Sequence, residues 1–169
     1  AVRNTVNVDW NTIGESTFHI PAAGDQVRVI GAIEGQVTTE HRIERIAREK
    51  ALAVADVERD ILKMAVIERH RGTGNVGLGF VQGFGLQKGA LAGSVANDHH
   101  NIVTIGADDQ SMLTAAREVG EMGGGFVVAN QERVLAQLPL PIAGLMSDQS
   151  INAVRDAMDT LLINSAALG

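Results

Sequence analysis

Seven glycines fall between Gly72 and Gly89, a density confined to that stretch. The whole chain holds 19 glycines in 169 residues, above the average of about 7%, so the local excess needs a local reason. Val76-Gly77-Leu78-Gly79-Phe80-Val81 reads as a strand with glycines where another backbone approaches closely. The remaining glycines of the stretch supply tight packing or positive φ. A phosphate loop is not supported: no Lys-Ser/Thr follows at the required spacing, and Gly-x-Gly-x-x-Gly fits several registers poorly. Phe80 and Phe84, four residues apart, read as core.

Residues 1–37 read as short strands separated by turns. Gln26 to Ile30 carries the β-branched alternation of a strand, and Pro21 to Asp25 is a turn before it. The opening stretch, with Val2, Val6 and Val8, reads either as an edge strand or as a linker from an upstream domain, and residues 1–25 as an interdomain segment. Residues 38–50 are ambiguous. Thr38 or Thr39 caps a helix with Ile43, Ile46 and Ala47 as its apolar stripe, or the same residues form a charged strand. Asp56 to Asp60 reads as a turn or a short helical turn. Ile61 to Glu68, Ala90 to Val95 and Asn101 to Gly106 read as strands, the last two joined by the polar Ala96 to His100.

Asp108 or Asp109 caps a helix running through Glu121, with Met112, Leu113, Ala116 and Val119 inward and Gly123-Gly124-Gly125 ending it. Phe126 to Ala129 and Val134 to Ala136 form a hairpin. Pro139 and Pro141 cannot continue a central strand, because proline lacks an N–H. Ser147 or Ser150 opens a final amphipathic helix with Ile151, Val154, Met158, Leu161 and Leu162 as one apolar stripe. Such a stripe faces the core or makes a dimer contact. Strands and helices mix without regular βα alternation. The expected class is therefore α+β: one domain with a mixed or largely antiparallel sheet and a few packed helices.

Composition narrows the function. There is no Cys, which excludes a disulfide framework and cysteine-ligated zinc. The net charge is −6, and the one basic cluster, Arg42, Arg45, Arg48 and Lys50, is interleaved with Glu40, Glu44 and Glu49. With four Phe, one Trp and no Tyr, no nucleic-acid surface is expected. No apolar run spans a bilayer and no signal peptide is evident, so no membrane partner and a cytoplasmic location are expected.

The strongest chemical constellation is Asp98-His99-His100-Asn101, after Ser94-Val95-Ala96. Imidazole and carboxylate ligate zinc, iron or manganese and also move protons near neutral pH. Asp98 and His100 can point to one side of a loop and His99 to the other. The bland alternative is a solvated polar loop. In Arg69-His70-Arg71, His70 joins the other histidines if their strands are neighbours, and Arg69 or Arg71 binds an anion or merely flanks a strand end.

Four strings together resemble one family, the C-terminal domain of bacterial and archaeal adenine deaminases. Asp60 to His70 resembles the entry to that domain's central part, and Gly74 to Leu86 its glycine-rich segment. Ser94 to Asn101 is similar to the family's Ser-Val-Ala-His-Asp-Ser-His-Asn motif, and Leu138 to Asp148 to its late motif. The resemblance spans about residues 26–169 and is strongest over residues 60–148. It implies hydrolysis of adenine to hypoxanthine and ammonia by an amidohydrolase whose manganese or iron sits in an upstream barrel, where metal-activated water attacks C6 of the purine. No metal site is expected in this chain, whose strings lack the barrel's His-x-His. The chain is then a fragment, a separately encoded domain or one part of a complex. The barrel in cis or in trans, adenine and a second copy are the implied partners.

The resemblance marks Asp98 and His100 as catalytic and His70, Asn75, Ser94, His99 and Asn101 as substrate-binding. Two positions depart from the motif: Asn97 stands where the family has His, and His99 where it has Ser. Asn97 cannot titrate. Three readings therefore stand: a domain completing a deaminase site, a free-standing ligand-binding or assembly module, and a self-contained metallohydrolase built on His70, Asp98, His99 and His100.

Overall fold

The computed structural model describes residues 2–169. Its main body is an eight-stranded sheet. The strands are β2 (Gln26–Ala32), β3 (Thr39–Arg45), β6 (Ile61–Ile67), β7 (Val76–Gln82), β8 (Ala90–Gly93), β9 (Ile102–Gly106), β10 (Gly125–Asn130) and β11 (Arg133–Pro139). The order is β11-β10-β8-β9-β6-β7-β2-β3, antiparallel throughout except for β2 beside β7. A small antiparallel sheet joins β1 (Ile20–Pro21), β5 (Leu52–Val54) and β4 (Ala47–Glu49). With the helices α1 (Asp109–Glu121) and α2 (Ile151–Ala166), this is the expected α+β class with a mixed, largely antiparallel sheet.

Residues 38–50 resolve the helix-or-strand ambiguity as β3 and β4. Thr39 to Arg45 pairs residue by residue with Gln26 to Ala32, and long-range pairing overrides the weak helical stripe. Pro139 closes β11 at the sheet edge, where a missing N–H costs no ladder bond.

Period-two alternation divides the sheet into two faces. On one, Ala65, Ile67, Ala90, Ala92, Ile102, Val127 and Ala129 pack against Met112, Ala115, Ala116 and Val119 of α1. Asp108 caps α1, accepting from Ser111 N–H at 2.8 Å. The small sheet covers the β2–β7 side of that face around Val29, Ala53, Ile61 and Phe80. Lys63 interrupts the apolar run of β6, and its buried ammonium pairs with Asp109 in the first turn of α1. On the opposite face α2, capped by Ser150, covers the β10–β11 end with Leu161, Val154 and Met158. Leu168 then runs back to accept from Gln87 and Lys88 N–H.

Three sequence expectations change. Gly77 and Gly79 face open space rather than a close backbone; the crowding falls instead at Gly83 and Gly89, both at positive φ, where a Cβ would meet the carbonyl oxygens of Ala32 and Ala129 at 2.8 and 2.6 Å. Phe80 is core, but Phe84 is 40% exposed, because it follows the strand in a turn that leaves the sheet. Ile151 and Leu162 are 84% and 59% exposed, because α2 crosses only the edge of the sheet and buries a narrow stripe.

Residues 2–14 form no strand. They cross the molecule as a strap, with Val6, Val8 and Trp10 half-buried against the α1-side core and Ile13 and Phe18 fully within it. A short 3-10 turn, Glu15–Phe18, ends the strap. Residues 1–25, expected as an interdomain segment, pack on this body at Val6, Val8, Trp10, Ile13 and Phe18, and Ala1 lies outside the described residues.

Candidate functional site

The β8–β9 connection, Ser94 to Asn101, and the β6–β7 connection, Glu68 to Asn75, emerge side by side. The antiparallel β6–β9 register, which pairs Ile67 with Ile102, carries on past the strand ends and sets Arg69 beside His100 and His70 beside His99. The His70 ring Nε2 lies 2.8 Å from the His99 carbonyl oxygen and donates to it. The three histidines therefore gather at one end of the sheet, as expected if their strands were neighbours.

Each side chain has a distinct setting. His99 Nδ1 accepts from Asn101 N–H at 3.0 Å, so the neutral ring carries its proton on Nε2. His100 closes the loop through its N–H to the Ala96 carbonyl at 2.7 Å. His100 Nδ1 is buried without a hydrogen-bond partner among the described residues. Asp98 and His100 both have positive φ, 74° and 48°, costly for residues with a Cβ and a form of strain that gathers at functional loops. Asp98 is exposed and makes no hydrogen bond or ion pair with the described residues. The Asn101 side-chain oxygen faces Arg69 N–H. Asn75 is exposed, and its carbonyl accepts from Glu68 N–H at 3.0 Å. Ser94 is fully buried. Its hydroxyl donates to Gly144 O at 2.6 Å and accepts from Gly125 N–H at 2.8 Å, both inside the fold.

The residues that hold the loops drew less attention in the sequence. Arg69 is only 1% exposed. Its guanidinium donates to His100 O, to Thr5 O and Oγ1 at 3.2 and 3.0 Å, and to Ala143 O at 3.0 Å. Burial pushes its pKa below the ordinary arginine value. It is a buried fastener, not the anion receptor the sequence allowed. It ties together the N-terminal strap, the histidine loop and the turn at Ala143, where Val2 O accepts from Ala143 N–H at 2.7 Å. A Cβ on Gly144 would meet Arg69 at 2.8 Å, so glycine there makes room for the guanidinium. Glu68 organises the neighbouring loop. Its carboxylate accepts from the N–H groups of Thr73, Arg71 and His70 and from the Thr73 hydroxyl. These bonds, that of Thr73 N–H foremost, pull its pKa down to about 2. An arginine closing an apolar strand was the only sequence signal for the fastener, and it reads equally well as a strand end.

An apolar hollow of about 330 Å³ abuts the loop. Phe84, Leu91, Val103, Ile105 and Phe126 line it, and Val95 and Ala96 at the loop's base border it. Among the described residues no group of three or more His, Asp or Glu side chains is placed to hold a metal ion, and no helix is long and apolar enough to cross a membrane. The set offers hydrogen-bonding and proton-transfer groups beside an apolar floor.

Comparison with known proteins shows the family. The family model "Adenine deaminase C-terminal domain" matches residues 36–169. The chain is 47% identical over 166 residues to the adenine deaminase of Desulfatibacillum aliphaticivorans, which covers 98% of this chain and 29% of that protein. It is 54% identical over 153 residues to that of Oleidesulfovibrio alaskensis, covering 89% of this chain and 26% of the relative. It is 45% identical over 168 residues to that of Methanothrix thermoacetophila, covering 99% and 29%. The chain thus spans under a third of the length of these relatives. With a family match over most of its length and this set of loops at one end of its sheet, the chain belongs to the adenine deaminase C-terminal domain family.

Proposed function

We propose that this chain serves as the C-terminal domain of an adenine deaminase and completes the site of an upstream barrel. The observation that carries the reading is the meeting of His70, His99, His100 and Asn101 over Arg69. Val2 is held at the same hub, its carbonyl accepting from Ala143 N–H. In the implied reaction water adds to C6 of adenine, the bond from C6 to the exocyclic nitrogen breaks, and ammonia leaves. Asp98 and His100 are then proton carriers at the rim, and His99 presents an N–H donor towards the base. His70 Nε2 and His99 Nδ1 are already spent on the loops. Among the described residues no three His, Asp or Glu side chains stand together to hold a metal ion, so the reading assigns manganese or iron to the barrel. A cytoplasmic role in purine salvage accompanies it.

A second reading, a non-catalytic ligand-binding or assembly module, is favoured by Asn97, which replaces the family motif's titratable His. One experiment separates the two. The matching segment of the Desulfatibacillum aliphaticivorans adenine deaminase is replaced by this chain, and adenine conversion is followed by purine ultraviolet absorbance. The completing role predicts an active chimera that loses about 10²-fold in kcat with His100→Ala, and no turnover by this chain alone. An active chimera indifferent to both His100→Ala and Asp98→Asn supports the module reading. Turnover by the chain alone would overturn both.

A further inference from the structure

Asn7 of the N-terminal strap grips the start of the β6–β7 connection. Its backbone N–H donates to the Arg69 carbonyl at 2.7 Å, and its side-chain Nδ2–H donates to the His70 carbonyl at 2.9 Å. Its own carbonyl lies against Gly72, where a Cβ would stand 3.1 Å from it. On the other side Glu68 accepts from His70 N–H. The His70 backbone is thus bonded before and behind, and only the ring remains to be placed. A carbonyl only accepts, so the bond to His99 O puts the ring proton on Nε2. Nδ1 is then a lone pair, without a hydrogen-bond partner among the described residues. His70 is exposed, so that lone pair is open to a ligand. Asn7 is exposed as well, and the strap is fastened without its side chain. Arg69 holds Thr5, Arg117 donates to the carbonyls of Trp10 and Ile13, and Trp10 lies on Gly120. The Asn7 amide therefore contributes orientation of His70 rather than attachment of the strap.

We propose that Asn7 is a positioning residue for the histidine site, holding His70 so that Nε2–H stays on the His99 carbonyl and Nδ1 is offered to substrate as an acceptor. For its ligand the proposal rests on the deaminase reading. His99 carries its free N–H and His70 its free lone pair on two adjacent connections. Adenine carries the reverse on one edge: an exocyclic amino group that donates, beside a ring nitrogen that accepts. Hypoxanthine has a carbonyl in place of that amino group. His70 Nδ1 would then meet an acceptor, so the pair favours substrate over product.

Two measurements test it. In the 169-residue chain, ring nitrogen NMR shifts at a pH of about 8, where histidine is neutral, report each tautomer. His70 should carry its proton almost wholly on Nε2. Asn7→Ala should raise the Nδ1–H fraction of His70 severalfold and leave His99 unchanged, with Tm lower by no more than about 3 °C. In the deaminase chimera, Asn7→Ala should raise KM for adenine about threefold to tenfold, with kcat within about twofold of the parent. Hypoxanthine should inhibit the variant more strongly relative to that KM. In a His70→Ala background Asn7→Ala should cost nothing further, because it acts through that ring. A His70 ring or a KM unchanged by Asn7→Ala, or losses additive with His70→Ala, would overturn the proposal. An unsubstituted chimera without turnover would instead sink the deaminase reading and adenine as the ligand, and the ring shifts of the chain alone would still decide whether Asn7 positions His70.

Discussion

Replacing Arg69 with alanine should unfasten three segments at once. The guanidinium makes four side-chain hydrogen bonds, to Thr5 O and Oγ1, His100 O and Ala143 O, and none of these acceptors is charged. Hydrogen bonds from a charged donor contribute about 1.5–3 kcal/mol each, a gross value of roughly 6–12 kcal/mol. Against this stands the desolvation of a nearly fully buried cation, about several kcal/mol, which the substitution recovers. The alanine protein also gains a cavity and leaves carbonyls without donors. The net cost is about 3–5 kcal/mol. For a domain of this size that lowers Tm by about 10 °C. Thermal denaturation followed by circular dichroism reads the global effect. Amide exchange reads its location, with the largest gains at residues 2–7 and 96–101. Arg69→Lys keeps the charge but not the fork and should recover only a minor part of the loss. A Tm within about 2 °C of wild type, with protection of the strap and histidine loop intact, would refute the fastener role.

Three further outcomes follow from other parts of the structure. Ser94→Ala strands the buried Gly125 N–H and Gly144 O and should cost about 2–4 kcal/mol in urea unfolding; a neutral substitution would return Ser94 to the ligand-binding role suggested by the family motif. Lys63→Met leaves the Asp109 carboxylate without its buried ammonium partner and should cost about 3 kcal/mol, most of it regained in Lys63→Met with Asp109→Leu; additive losses would show that the pair is not coupled. Glu68, held at a pKa of about 2 by the N–H groups of Thr73, Arg71 and His70, has a depressed folded-state value. Its contribution is present above the unfolded pKa of about 4.3 and is lost as pH falls through the folded one. The amide resonances of His70, Arg71 and Thr73 should therefore shift with a midpoint near about 2, and Glu68→Gln should remove the transition; a midpoint at the ordinary carboxylate value would show that the collar is not formed in solution.

Much of this molecule was written locally. Asp108 and Ser150 cap the two helices because an oxygen-bearing side chain before an apolar-periodic run can satisfy the free N–H groups of the first turn. Ile61 to Ile67 and Ile102 to Gly106 are strands because branched residues suit a pleated, buried surface. The Asp98-His99-His100-Asn101 loop stood out by chemistry alone. Other outcomes depended on partners distant in the chain. Thr39 to Arg45 became a strand because β2 was there to pair with it. The histidines met only because β6 and β9 are neighbours in a register that sets His70 against His99. Arg69 reads the same in sequence whether it faces solvent or fastens three segments, because its acceptors are backbone carbonyls, which every residue has. The exposure of Ile151 and Leu162 was likewise hidden: a helical period fixes which residues share a face, but only docking against the β10–β11 edge decides which face turns inward.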